Sequence, residues 1–99
     1  MKIRCFRMQL TRIAHRLPKL TLFTKGYCPL CDEALADLEQ LKPRFKLEKV
    51  FIDQKGNEMY FHKYKYDIPV FHFENEYLMK HRADFELLES KLNDFEGRQ

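Results

Sequence analysis

Two cysteines three residues apart, Cys28 and Cys31, stand where one chain pattern changes into another. Before them, Leu20-Thr21-Leu22-Phe23-Thr24 is short, apolar and partly β-branched, which suits a buried central strand. Gly26 breaks that run and permits a loop. After it, Pro29 fits the first position of a helix, where its missing N–H costs nothing. Cys31, Ala34, Leu35, Leu38 and Leu41 then recur on one helical face, and the pattern fades toward Pro43. Residues i and i+3 at a helix start face the same side, within the range a disulfide needs. The motif therefore predicts a strand–loop–helix unit with a redox-active pair at its junction.

The two thiols are not equivalent. Cys28 falls at or just before the helix N-terminus, where unpaired backbone N–H groups favour a thiolate. Lys25 adds positive potential, while Asp32 and Glu33 act against it. Cys31 lies deeper in the helix. Cys28 is thus the expected nucleophile and Cys31 the resolving thiol. A Cys-x-x-Cys can also be half of a zinc site. The chain has no second such pair, and His15, His62, His72 and His81 are scattered, so no metal is expected.

Ninety-nine residues make one domain. Three cysteines are too few, and an odd number, for a secreted disulfide scaffold, which points to an intracellular protein. No apolar run approaches the roughly 18 residues of a membrane span. The net charge of +3 conceals an asymmetry. Six of the 18 basic residues lie in positions 1–19, which hold no acid; the other 12 face 15 acids. The basicity belongs to the N-terminal segment, and a nucleic-acid surface argued from total charge would be an error.

In that segment Ile3, Phe6, Leu10, Ile13 and Leu17 form one helical stripe among arginines, ended by Pro18. An arginine-rich, acid-free amphipathic N-terminus resembles a mitochondrial transit peptide. Residues 1–18 are read as this address segment and 19–99 as the domain. A solvated tail on a cytosolic protein is the alternative. Cys5 is assigned no role.

Residues 45–53 form the next strand, half-exposed early and buried at Val50-Phe51-Ile52. Lys55-Gly56-Asn57 is a turn, and Asn57 can cap a short helix through Met59, Tyr60 and Tyr64. A helix between successive strands implies a parallel βαβ unit. Ile68 to Phe73 and Tyr77 to Lys80 read as strands, with Glu74-Asn75-Glu76 short enough for a hairpin. Asp84 opens a last helix carrying Phe85, Leu88, Leu92 and Phe95. The predicted order is β-α-β-α-β-β-α. The run from Tyr60 to Tyr66, mixed aromatic and basic, reads as an amphipathic helix and its exit. His72 reads as a partly exposed sheet residue, and Asp53 as a cap or turn residue.

Three segments together resemble a glutaredoxin, of the thioredoxin-like superfamily: Lys25-Gly26-Tyr27-Cys28-Pro29-Leu30-Cys31, Val50-Phe51-Ile52-Asp53, and Tyr66-Asp67-Ile68-Pro69-Val70-Phe71. The chain is most similar to small glutaredoxin-like proteins with a Cys-Pro-x-Cys motif. The resemblance implies an α/β thioredoxin/glutaredoxin-like fold, a four-stranded mixed sheet with three flanking helices. It implies a cis Ile68–Pro69 bond against the redox pair, and thiol–disulfide exchange serving a disulfide-bearing protein or a glutathione mixed disulfide. No cofactor is obligatory; glutathione is a candidate co-substrate. By motif position Lys25, Tyr27 and Cys28 match glutathione contacts, and Ile68 would offer its backbone to a bound cysteinyl group.

The chain also departs from that pattern. Lys80-His81 occupy the place of a Gly-Gly pair, with Asp84 following as the acid that would meet the glutathione amine. Asp67 stands where a threonine is usual and would repel a glutathione carboxylate. No nucleic acid, no membrane insertion and a monomer are expected. The alternatives are a catalytically weak binding module, whose pair holds a partner, a metal or an iron–sulfur cluster, and an interaction protein whose disulfide is structural.

Overall fold

The run of apolar and β-branched residues after Pro18 forms β1, Lys19–Thr24, buried at every position after the first. A strand buried on both faces needs neighbours on both edges and cover above and below. A computed structural model of residues 16–98 supplies them. The strand order is β2-β1-β3-β4, where β2 is Lys46–Phe51, β3 is Val70–Phe73 and β4 is Glu76–Lys80. β2 runs parallel to β1, and β3 and β4 close the sheet antiparallel. The element order is the one read from the sequence, with helices α1 (Pro29–Asp37), α2 (Glu58–Tyr64) and α3 (Phe85–Gly97). The N-terminal address segment lies almost wholly outside the described residues.

Side chains alternate across the sheet and divide the core in two. Leu20, Leu22, Phe71 and Phe73 meet Cys31, Ala34, Leu38, Leu88 and Leu92 from α1, its C-cap and α3. On the other face Phe23 and Val70 meet Ile52 and the Tyr64 of α2. Leu20, Phe71, Leu88 and Leu92 are completely enclosed, each contributing about 1.5–3 kcal/mol of burial.

Four local features differ from expectation. The helical pattern toward Pro43 is two elements: α1 ends at Asp37, and a tighter 3-10 helix spans Glu39–Arg44. Proline cannot donate to an α-helical ladder, and its ring clashes with the carbonyl four residues back. Val50 and Phe51 are only half-buried, because β2 is an edge strand; Ile52 alone is enclosed. Asn57 occupies the N-cap of α2, but its amide donates to the Phe51 carbonyl (2.8 Å), and Glu58 accepts from the Gly56 N–H (3.1 Å) instead. The hairpin loop is two residues long, not three. Glu74 and Asn75 both take positive φ (50° and 70°), the mirror-image turn whose twist matches the flanking strands.

Asp84 opens α3 as expected, and it does so as its N-cap: the carboxylate accepts from the Leu87 N–H at 3.0 Å. No helix among the described residues is long and apolar enough to cross a membrane.

Candidate active site

The site lies where β1 ends, β3 begins and β4 ends. Thr24 gives way to an exposed loop, Lys25 to Tyr27, and the chain turns into α1 at Cys28. The loop is tied down from the side: the Asp53 carboxylate accepts the Gly26 N–H at 3.1 Å. The parallel register makes this contact. Thr24 pairs with Phe51, so residues two further along each strand meet.

Cys28 is the N-cap residue, with Pro29 in the first turn. Its carbonyl accepts from the N–H groups of Cys31 (3.0 Å) and Asp32 (3.1 Å), and its sulfur accepts from the Cys31 N–H at 3.1 Å. Cys28 and Cys31 are joined in a disulfide with Cα atoms 5.2 Å apart. Cys28 keeps 8% of its surface exposed and Cys31 2%, so an incoming group reaches the first sulfur more readily. Asp32 and Glu33 are solvent-exposed, where water screens their charge.

The Ile68–Pro69 peptide is cis. Ile68 packs against the core cluster that contains both cysteines, and Pro69 is enclosed. The Pro69 carbonyl accepts from the His81 N–H at 2.7 Å, which ties the end of β4 to this turn. The Ile68 backbone is engaged on its donor side. Its N–H donates to the Tyr64 carbonyl (3.2 Å), because the C-terminal end of α2 leaves carbonyls in need of donors. Lys25 is exposed and Tyr27 is 80% exposed beside Cys28. Asp84 is committed to capping α3.

Asp67, Lys80 and His81 are brought together. The Asp67 carboxylate lies 3.5 Å from Lys80 Nζ and 3.8 Å from His81 Nε2. Next to them an open cleft of about 470 Å³ runs between Leu30, Glu33, Ala34 and Asp37 on α1 and His81, Arg82 and Ala83 after β4. A larger depression of about 790 Å³ continues from Asp37 and Arg82 toward Phe85 and does not reach the disulfide.

His72 lies on the α2 face. Its Nε2 is 2.9 Å from the Tyr64 hydroxyl. Burial, and then the charge of Lys63, push its pKa down. The aromatic run packs as a helix would: Tyr60 and Tyr64 rings lie against Phe23, and Lys65 sits over Phe61 and Tyr66. Among the described residues no group of three or more His, Cys, Asp or Glu side chains stands ready to hold a metal ion.

A family model for the glutaredoxin-like domain (DUF836) matches residues 19–93, three quarters of the chain and all the elements of the site. The chain belongs to the glutaredoxin-like domain family. A glutaredoxin-like protein of Dictyostelium discoideum is 34% identical over 83 residues, covering 76% of this chain and 77% of that protein. Among solved structures, the solution structure of protein Ne2328 from Nitrosomonas europaea is similar with a TM-score of 0.68 and 27% identity, covering 87% of this chain and 98% of that one. A structural-genomics target protein from X. campestris is similar with a TM-score of 0.61 and 27% identity, over 76% and 96%. The fold is the thioredoxin/glutaredoxin-like α/β fold, and this glutaredoxin-like domain carries a disulfide at its Cys-x-x-Cys.

Proposed function

We propose that this glutaredoxin-like protein is a thiol–disulfide oxidoreductase whose working group is the Cys28–Cys31 pair. The observation that carries the reading is the disulfide's position, bridging a helix N-cap and the first turn beside a cis-proline segment. In the reduced state the Cys28 thiolate gains from the N–H of Cys31, which points at the sulfur (3.1 Å), and from the helix N-terminus.

Exchange then proceeds in two balanced displacements. Cys28 Sγ attacks one sulfur of a substrate disulfide; that S–S bond breaks, and the departing thiolate takes a proton. The Cys31 thiolate attacks Cys28 Sγ, the mixed disulfide breaks, and the second substrate thiol leaves. The substrate is reduced by two electrons, and the pair is oxidised to the disulfide. A thiol reductant restores it by the reverse displacements. The electron pair travels on sulfur alone, so no bound cofactor is called for, and one chain suffices. Pro29 and the Asp53-anchored loop hold the first sulfur in place, while burial of Cys31 keeps the resolving thiol from competing for substrate.

The test is reduction of a protein disulfide and of a glutathionylated peptide with dithiothreitol as reductant. Cys28→Ser should lose at least about 100-fold in kcat/KM on both. Cys31→Ser should trap a mixed disulfide with the protein substrate. Equal turnover by wild type and Cys28→Ser would sink the reading.

A further inference from the structure

We infer that the Asp67–Lys80–His81 cluster determines specificity, turning the site away from small carboxylate-bearing thiols such as glutathione and toward polypeptide disulfides. The inference rests on the redox reading above and names its substrate class.

The cluster borders the disulfide through the Ile68–Pro69 turn. Asp67 precedes Ile68, which packs on the core around both cysteines, and the Pro69 carbonyl takes the His81 N–H. His81 has φ near 70°, so the chain turns sharply there and leaves Lys80 and His81 facing Asp67 at 3.5 Å and 3.8 Å.

Glutathione is a tripeptide with two carboxylates and one ammonium group. It offers little apolar surface, so it must be held largely by charge. On this rim the Lys80 ammonium and the His81 ring are already engaged by Asp67. A ligand carboxylate that reached Lys80 or His81 would have to displace Asp67 and then lie beside it, and like charges in contact are unfavourable. The adjoining cleft is lined by Arg82 and His81 on one wall and by the carboxylates of Glu33 and Asp37 on the other, which a ligand carboxylate entering it would also meet. Lys25 stands outside the cluster and is a single cation for two carboxylates.

A polypeptide disulfide needs none of these charges. Its side chains can cover Tyr27 on the cysteine loop, Leu30 in the first turn of α1 and Tyr66 on the turn into Ile68, which expose 80%, 54% and 83% of their surface. Its backbone can lie in the cleft beside Leu30. Burying such aromatic and aliphatic groups is what drives protein association.

The experiment compares three probes, all with dithiothreitol: a glutathionylated peptide, the same peptide as its mixed disulfide with 2-mercaptoethanol, and a protein disulfide. The first two are alike in reaction; the glutathionyl group adds two carboxylates, an ammonium and two amides, and the Asp67 variants isolate the part that charge at this rim plays. Wild type should prefer the protein disulfide and the hydroxyethyl peptide to the glutathionylated one. Asp67→Asn keeps the shape, frees the Lys80 ammonium from its carboxylate partner and removes the repelling charge. It should raise the glutathionylated-to-hydroxyethyl ratio of kcat/KM about tenfold, chiefly through KM. Asp67→Glu, which keeps the charge, should leave that ratio low. An unchanged ratio in Asp67→Asn, or a wild type that already prefers the glutathionylated peptide, would overturn the inference while leaving the redox reading intact. A wild type that reduces none of the three probes would overturn the redox reading and this inference with it.

Discussion

The two ends of the sheet handle charge in opposite ways. At the end that carries the hairpin tip and the last turns of α3, two ion pairs are short and have several partners, beside a longer Lys19–Glu48 pair at 3.7 Å. Arg16 holds Glu74 at 2.7 Å, and Glu74 also accepts from the Lys19 N–H at 2.8 Å. Arg44 grips Glu96 through two nitrogens at 2.9 and 2.8 Å and reaches Asn93 at 2.8 Å. At the disulfide end the ion pairs are longer: Lys80–Asp67 at 3.5 Å and His81–Asp67 at 3.8 Å. Planar bidentate pairs with charge-assisted bonds lock a scaffold. Single, longer pairs leave a rim that a partner can rearrange. One end of a single small sheet thus carries short, multiply bonded ion pairs, while the other carries the disulfide and the longer Asp67 pairs.

The strongest challenge to this division is to weaken the scaffold and watch the site. Leu92 is fully enclosed between α3 and the sheet. Leu92→Ala should cost about 2–5 kcal/mol in denaturant unfolding, with kcat/KM per folded molecule little changed. A comparable loss of intrinsic exchange rate would show that the two ends are not separable.

Acid provides a second probe. Hydrogen bonds from Arg16, and from the Lys19 backbone, hold the Glu74 carboxyl below its ordinary value of 4.5; Arg44 does the same for Glu96. A carboxyl whose folded pKa is depressed contributes stability above its unfolded pKa and loses it as pH falls through the folded one. The melting temperature should therefore drop as pH goes from about 5 downward. Glu96→Gln should start lower at neutral pH and show a shallower acid dependence. Parallel curves for the two proteins would remove Glu96 from the scaffold.

The smallest effect on stability, and the one that sharpens the contrast, is at Asp53. Its one described bond is to a loop amide on the surface, so Asp53→Ala should cost less than about 1 kcal/mol. The anchored loop leads directly into Cys28, however, so exchange should slow about threefold or more through looser positioning. Equal exchange rates would leave Asp53 as a surface turn residue only.

Much of this molecule can be read from local pattern. The five residues after Lys19 suited a buried strand, Pro29 marked the start of α1, and Asp84 marked the opening of α3. The Cys-x-x-Cys spacing placed two sulfurs on one side of a helix start. What could not be read locally depends on partners distant in sequence. Asn57 had the right chemistry to cap α2, yet a carbonyl of β2 took its amide. Asp53 was legible as a turn residue, but its role at Gly26 needed the parallel pairing of β1 with β2, which sets residues 27 apart in sequence side by side. Val50 and Phe51 looked enclosed because their run is apolar; their half-exposure follows from β2 being an edge.

By itself, then, the sequence determined the element order, the buried central strand and the unequal pair Cys28 and Cys31, because short-range periodicity and spacing carry that information. Only the tertiary structure decided how the rim of the disulfide is charged. Asp67, Lys80 and His81 looked like three separate departures from a glutathione site, spread over fifteen positions. The hydrogen bond from His81 to Pro69 folds the end of β4 against the cis turn and makes them one cluster, because ion pairs follow distance in space and not distance along the chain.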